Sequence, residues 1–137
     1  MSAFFKRSPY QGFASWFRLQ AKEEMEHAMK IYDYLCDRDA PFSPAELAKP
    51  SKDKFDSPLE AYKAALAHEE LVTSQINKIF EVANDEKDWA TADFINWYIK
   101  EQTEEEHQVK QFISALEFAG DDKKLLFAVN EWAGKRS

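Results

Sequence analysis

Residues that turn a chain are scarce: the 137 residues hold three glycines and five prolines. That leaves few sites for tight turns and leans the chain toward helix. No apolar run reaches 18 residues, so no transmembrane helix is expected. The opening Met1-Ser2-Ala3-Phe4-Phe5-Lys6 is too short in its apolar part to read as a signal peptide. A single cysteine, Cys36, excludes an internal disulfide and suits a reducing compartment, so a cytoplasmic location is expected. No basic stripe is present either. With 25 acidic and 18 basic residues the net charge is −7, which repels nucleic-acid phosphates. Neither an internal repeat nor a low-complexity segment is evident.

Against those absences, 45% of the residues are apolar and 31% charged, a soluble balance with enough material for one domain over 1–137. Phe13, Phe17, Gln20, Glu24, His27, Ile31 and Leu35 recur every three or four positions and predict a helix over 11–37. Its length, roughly 40 Å at about 1.5 Å per residue, favours a bundle. Residues 38–57 carry Pro41, Pro44 and Pro50 with little periodicity. A stretch of that length reads as a crossover running along a bundle. Ser57-Pro58-Leu59-Glu60 is a capping box with proline at the first helical position, opening a helix over 58–84. Its stripe is Tyr62, Leu66, Glu69, Val72, Ile76 and Phe80. A short polar connector implies an antiparallel neighbour over 89–119, striped by Phe94, Tyr98, Glu101, Glu105, Val109, Phe112 and Leu116 and closed by Gly120. A short final helix over 122–133 carries Leu125, Val129 and Trp132 at helical spacing.

The chemistry lies in where the carboxylates fall. Glu24, Glu69 and Glu105 each stand in the apolar stripe of their own helix, seven residues from large apolar neighbours on either side. Acidic residues ordinarily sit on the solvated face. A buried carboxylate costs several kcal/mol unless a positive partner compensates it, and those stripes hold no lysine or arginine. A bound cation is the natural partner. His27, three residues after Glu24, adds an imidazole on the same face, and oxygen donors with imidazole suit iron or manganese, with zinc also open. Glu-x-x-His with glutamates from other helices is the di-iron carboxylate pattern of helical bundles. The bland reading of any one glutamate is a boundary residue with a buried stem and a wet head. Glu104-x-x-His107 imitates a second ligand pair, but His107 falls about 200° around the helix from Glu105 and is expected in solvent. His68 reads as a flanking or surface group. Met25 reads as a packing or interface methionine before a haem ligand.

These residues resemble the non-haem ferritins of bacteria and archaea. The segments that carry the likeness are Gly12-Phe13-Ala14-Ser15-Trp16-Phe17, Glu23-Glu24-Met25-Glu26-His27-Ala28, Ala67-His68-Glu69, Phe94-Ile95-Asn96-Trp97-Tyr98 and Glu101-Gln102-Thr103-Glu104-Glu105-Glu106. The resemblance implies an all-α, ferritin-like helical bundle that oxidises Fe(II) with dioxygen or peroxide and stores ferric mineral, in the family within a cage of 24 subunits. It implies Glu24 and His27 as ligands of a first iron, Glu69 and Glu105 as ligands of a second with Gln102 close by, and Glu23, Glu101 and Glu104 at a third site. It also implies that residues 2–8 correspond to the end of the family's long first helix, with its glutamate ligand absent. From this follow expectations of a groove filled by association with another chain and of weaker occupancy at the first iron. The alternative is an assembly subunit with impaired oxidation. A rubredoxin-bearing relative is disfavoured by the lack of a Cys-x-x-Cys pair, and a haem-binding relative by Gln102 and Glu105.

Overall fold

The computed structural model describes residues 1–43, 45, 46, 52 and 54–136. Pro44 and Pro50, on which the crossover expectation leaned, lie outside the described residues. Among those described there are five helices and no strand: α1 (Ser2–Phe5), α2 (Gln11–Asp37), α3 (Pro58–Asp85), α4 (Trp89–Ala119) and α5 (Lys123–Ala133). The all-α class expected from the sequence is therefore observed. None of these helices is long and apolar enough to cross a membrane. The chain forms two compact units, residues 1–55 with 127–137 and residues 56–126.

In the first unit, α1 and the start of α2 bury an aromatic cluster. Phe5 stacks on Phe17 with ring centroids 5.6 Å apart and tilts against Phe13 at 5.3 Å. Phe4 meets Phe55 edge-on at 5.7 Å. The buried residues of α2 all fall in its first three turns, at Phe13, Ala14, Trp16, Phe17 and Gln20. Further along, Met25, Met29 and Tyr32 form an exposed apolar stripe at i, i+4 and i+7. Tyr10 caps α2 without a side-chain hydrogen bond. The first turn of a helix leaves its N–H groups without helical acceptors, and here the Phe13 N–H donates to Asn130 Oδ1 of the C-terminal helix at 3.1 Å.

That contact settles which face of α5 is buried. The sequence showed Leu125, Val129 and Trp132 at helical spacing. In the structure Leu125 and Trp132 are exposed, and Asn130 and Ala133 are buried. The reason is steric. The Asn130 backbone approaches α2 so closely that a Cβ on Gly12 would lie 1.8 Å from its carbonyl oxygen. Only an alanine and a hydrogen-bonding asparagine suit so narrow a seam; leucine and tryptophan do not.

The second unit is a hairpin of α3 and α4. Ser57 Oγ accepts the Glu60 N–H at 3.1 Å, as the capping box predicts, but the Glu60 carboxylate reaches back one residue further, to the Asp56 N–H at 2.6 Å. Between the helices Lys87 adopts φ 56°, and Asp88 caps α4 by accepting the Thr91 N–H at 3.1 Å. The connector is as short as expected and the helices run antiparallel. Tyr62 near the start of α3 stacks on Phe112 near the end of α4 at 5.0 Å, and Lys63 pairs with Glu117 at 2.8 Å.

The seam at Gly12 makes a direct prediction. Gly12→Ala should destabilise the protein by at least about 1–3 kcal/mol, the usual cost of forcing a methyl group into a packed interior, read as a lowered chemical-denaturation midpoint. An unchanged midpoint would mean that α2 and α5 do not meet at this residue.

Candidate metal centre

Nine buried residues mark the inner face of α4: Ala92, Ile95, Tyr98, Gln102, Glu105, Val109, Phe112, Leu116 and Ala119. Their spacing of three or four continues through two polar positions without a break, so Gln102 and Glu105 occupy core sites. On α3 the same holds for Glu69, seven residues from Tyr62 and from Ile76, all three buried. Glu69 and Glu105 retain only 3% and 5% of their exposure. The Gln102 amide joins the two helices, donating to Glu69 Oε2 and to the Glu69 carbonyl, each at 3.3 Å. An amide in that position holds the carboxylate in one orientation.

Glu101 departs from its expected place. It was placed in the α4 stripe, but it is half-buried and Gln102 takes that position. Between Tyr98 and Glu105, Glu101 gives a three-then-four spacing and Gln102 a four-then-three one, and the packing against α3 selects the glutamine. Glu104 is exposed, as are His68 and His107; the latter's Nε2 lies 3.0 Å from Gln111 Nε2 on the same helix. Tyr98 lies one turn before Gln102 in the buried face, and its burial raises the phenol from its ordinary value of 10.0 to about 12.

In the first unit, Glu24 and His27 lie on α2, both half-buried. Glu24 Oε2 and His27 Nδ1 are 3.8 Å apart. This is too long for a hydrogen bond, yet within reach of a common first-row metal ion about 2.0–2.2 Å from each donor. Glu23, one residue earlier, faces a different partner: Arg136 Nη2 donates to its Oε2 at 2.6 Å. Met25 is 63% exposed, consistent with an interface side chain.

Two charged residues escaped the sequence reading. Glu106 is half-buried; Lys110, one turn along α4, and then Thr73 on α3 hydrogen-bond its carboxylate and hold it below the usual carboxylate range. The i, i+4 spacing of Glu106 and Lys110 was a visible signal for that pair. Arg136 had none, because its partner lies 113 residues away.

The donor types are carboxylate, imidazole and amide, set on long helices at their midpoints. A model of the ferritin-like domain matches residues 1–119. The whole chain is 39% identical to the bacterial non-heme ferritin of Staphylococcus aureus strain USA300, covering 82% of that protein. The chain belongs to the ferritin family. The ferritin of Staphylococcus saprophyticus is also 39% identical, with 81% of its length covered. Among solved structures, the open-pore ferritin of the archaeon Archaeoglobus fulgidus superposes with a TM-score of 0.96 at 34% identity, over all of this chain and 84% of that one. A structure described as a humanized archaeal ferritin gives the same TM-score and identity with 83% of its chain covered. The ferritin resemblance read from the motifs is thus confirmed over the full length, α5 included.

The buried phenol allows a test that needs no metal. A phenol whose pKa rises on folding favours the folded state fully below pH 10 and loses that contribution as pH climbs from 10 toward about 12. In an ultraviolet titration of tyrosinate, Tyr98→Phe should remove a step near pH 12 and leave those near pH 10 in place. A lost step near pH 10 instead would show that Tyr98 is in contact with water.

Proposed function

We propose that this ferritin-family chain is an iron-storage protein that oxidises Fe(II) at a di-iron carboxylate centre ligated by Glu24, His27, Glu69 and Glu105. The reading is supported above all by two carboxylates, Glu69 and Glu105, buried among apolar residues of the α3–α4 hairpin. Such burial is costly for an anion without a positive counterpart. Ferritin membership makes iron the cation that suits them, ahead of manganese or zinc.

Each residue then has a definite task. Glu69 and Glu105 supply negative charge from the hairpin, offsetting the charge of the incoming ions. Glu24 adds a third carboxylate, and His27 a neutral nitrogen donor that tolerates both iron oxidation states. Gln102, through its amide bond to Glu69, orients that ligand and limits its freedom to swing away. Each Fe(II) passes an electron to dioxygen or peroxide, and the ferric product hydrolyses, releasing protons as oxide forms. Glu23, Glu101 and Glu104 belong to a third site that draws iron onward. The exposed apolar stripe of Met25, Met29 and Tyr32 fits self-association into a homo-oligomer such as the family's cage, and the proposed setting is the cytoplasm.

Ferrous iron added in air to the purified apoprotein should oxidise faster than in buffer, followed by the absorbance of ferric oxo species. Glu69→Ala should lower the initial rate by more than about tenfold, since even residues that only orient a metal ligand are worth about 10–100-fold in affinity or activity. Gln102→Leu should cost less. A wild-type rate equal to that of buffer would favour an assembly subunit without oxidase activity, and an unaffected Glu69→Ala rate would remove the hairpin carboxylates from the mechanism.

A further inference from the structure

Trp16, Gln20 and Glu23 follow one another at i, i+4 and i+7 along one face of α2, and a single side chain from the end of the chain engages all three. Arg136 Nη1 donates to Gln20 Oε1 at 2.7 Å and Nη2 to Glu23 Oε2 at 2.6 Å. The guanidinium carbon sits 5.2 Å from the centroid of the Trp16 ring. Gln20 and Trp16 are buried, and the side chains of Arg136 and Glu23 keep 21% and 36% of their exposure. A guanidinium is a planar fork with a permanent charge, suited to two parallel hydrogen bonds while its face rests on an indole. Three different contacts therefore fix one cation against Glu23.

Glu23 is among the residues assigned above to the third iron site. A divalent ion approaching its carboxylate meets a positive charge already hydrogen-bonded to Oε2, and like charges at so short a range repel. We propose that Arg136 is a built-in competitor for Glu23: the C-terminal guanidinium holds the carboxylate out of the metal-binding set, and Glu23 ligates a metal ion only when Arg136 is released. The inference rests on the third-site reading of Glu23. It adds a regulatory element, since anything that moves the last residues of the chain then changes how many metal ions α2 can hold. Arg136 is a positioning residue in this scheme and touches no substrate.

Calorimetric titration with zinc(II), which binds without being oxidised, tests this on the 137-residue chain as purified. Arg136→Gln should bind one more zinc equivalent per chain than wild type, and the double variant Arg136→Gln with Glu23→Gln should lose that added equivalent. Glu23→Gln alone should match wild type. A purely structural Arg136 would lower stability without adding a site. The proposal is overturned if Glu23→Gln alone loses an equivalent, if Arg136→Gln gains none, or if the double variant keeps the gain. Should Arg136→Gln fail to fold, Glu23→Gln alone still decides, because Arg136 is intact in it. Glu69→Gln, titrated in parallel, checks the di-iron reading separately: full zinc binding there would sink that reading and leave the Glu23 result interpretable.

Discussion

A carboxylate placed in an apolar helix face opposes the burial that forms the face, and the α3–α4 hairpin contains two of them. Tyr62, Ile76, Tyr98, Val109 and Phe112 gain by leaving water. Glu69 and Glu105, set among them, lose hydration that costs several kcal/mol per charge to give up. The hairpin accepts this because the surrounding face is long and regular. Capping by Ser57 and Asp88 fixes the start of each helix, so the register at mid-helix is set from both ends. The Gln102 amide recovers part of the lost hydration at Glu69. A bound cation would recover more, and cation binding is thereby coupled to the stability of the hairpin itself.

The first unit handles charge differently. There the Glu23 carboxylate is matched by a side chain of the same polypeptide, Arg136. The contrast is between a cation that the chain carries permanently and cations that it exchanges with solvent. Arg136 reaches α2 because the C-terminal helix docks against it, and the docking depends on the glycine at position 12 that lets the Asn130 backbone approach. A steric feature at one end of α2 thus sets an electrostatic one about three turns further on.

Much of the architecture was legible beforehand. The helices over 11–37 and 89–119 were bounded to the residue, and the capping box marked the start of α3, because periodicity and capping are local and act within a turn or two. Glu69 and Glu105 could be singled out because each stands seven residues from large apolar neighbours on either side. Gln102 was assigned from family likeness while its neighbour Glu101 was placed in the stripe, because a 3.6-residue turn leaves adjacent positions equally acceptable at one edge of a face. The buried face of α5 was not legible for a related reason. Hydrophobicity suggests which side a helix buries, but the gap available decides which side chains fit, and a narrow seam favours Asn130 and Ala133 over Leu125 and Trp132.

What the amino-acid order determined by itself is therefore the set of helices, the carboxylates lodged in their apolar faces, and the family to which those motifs belong. These follow from interactions spanning a few residues. Only the tertiary structure decided that Gln102 grips Glu69, that α5 turns its asparagine inward, and that Arg136 closes on Glu23. Those contacts join residues 33, 117 and 113 positions apart, and no local pattern carries information about partners that meet only when helices pack.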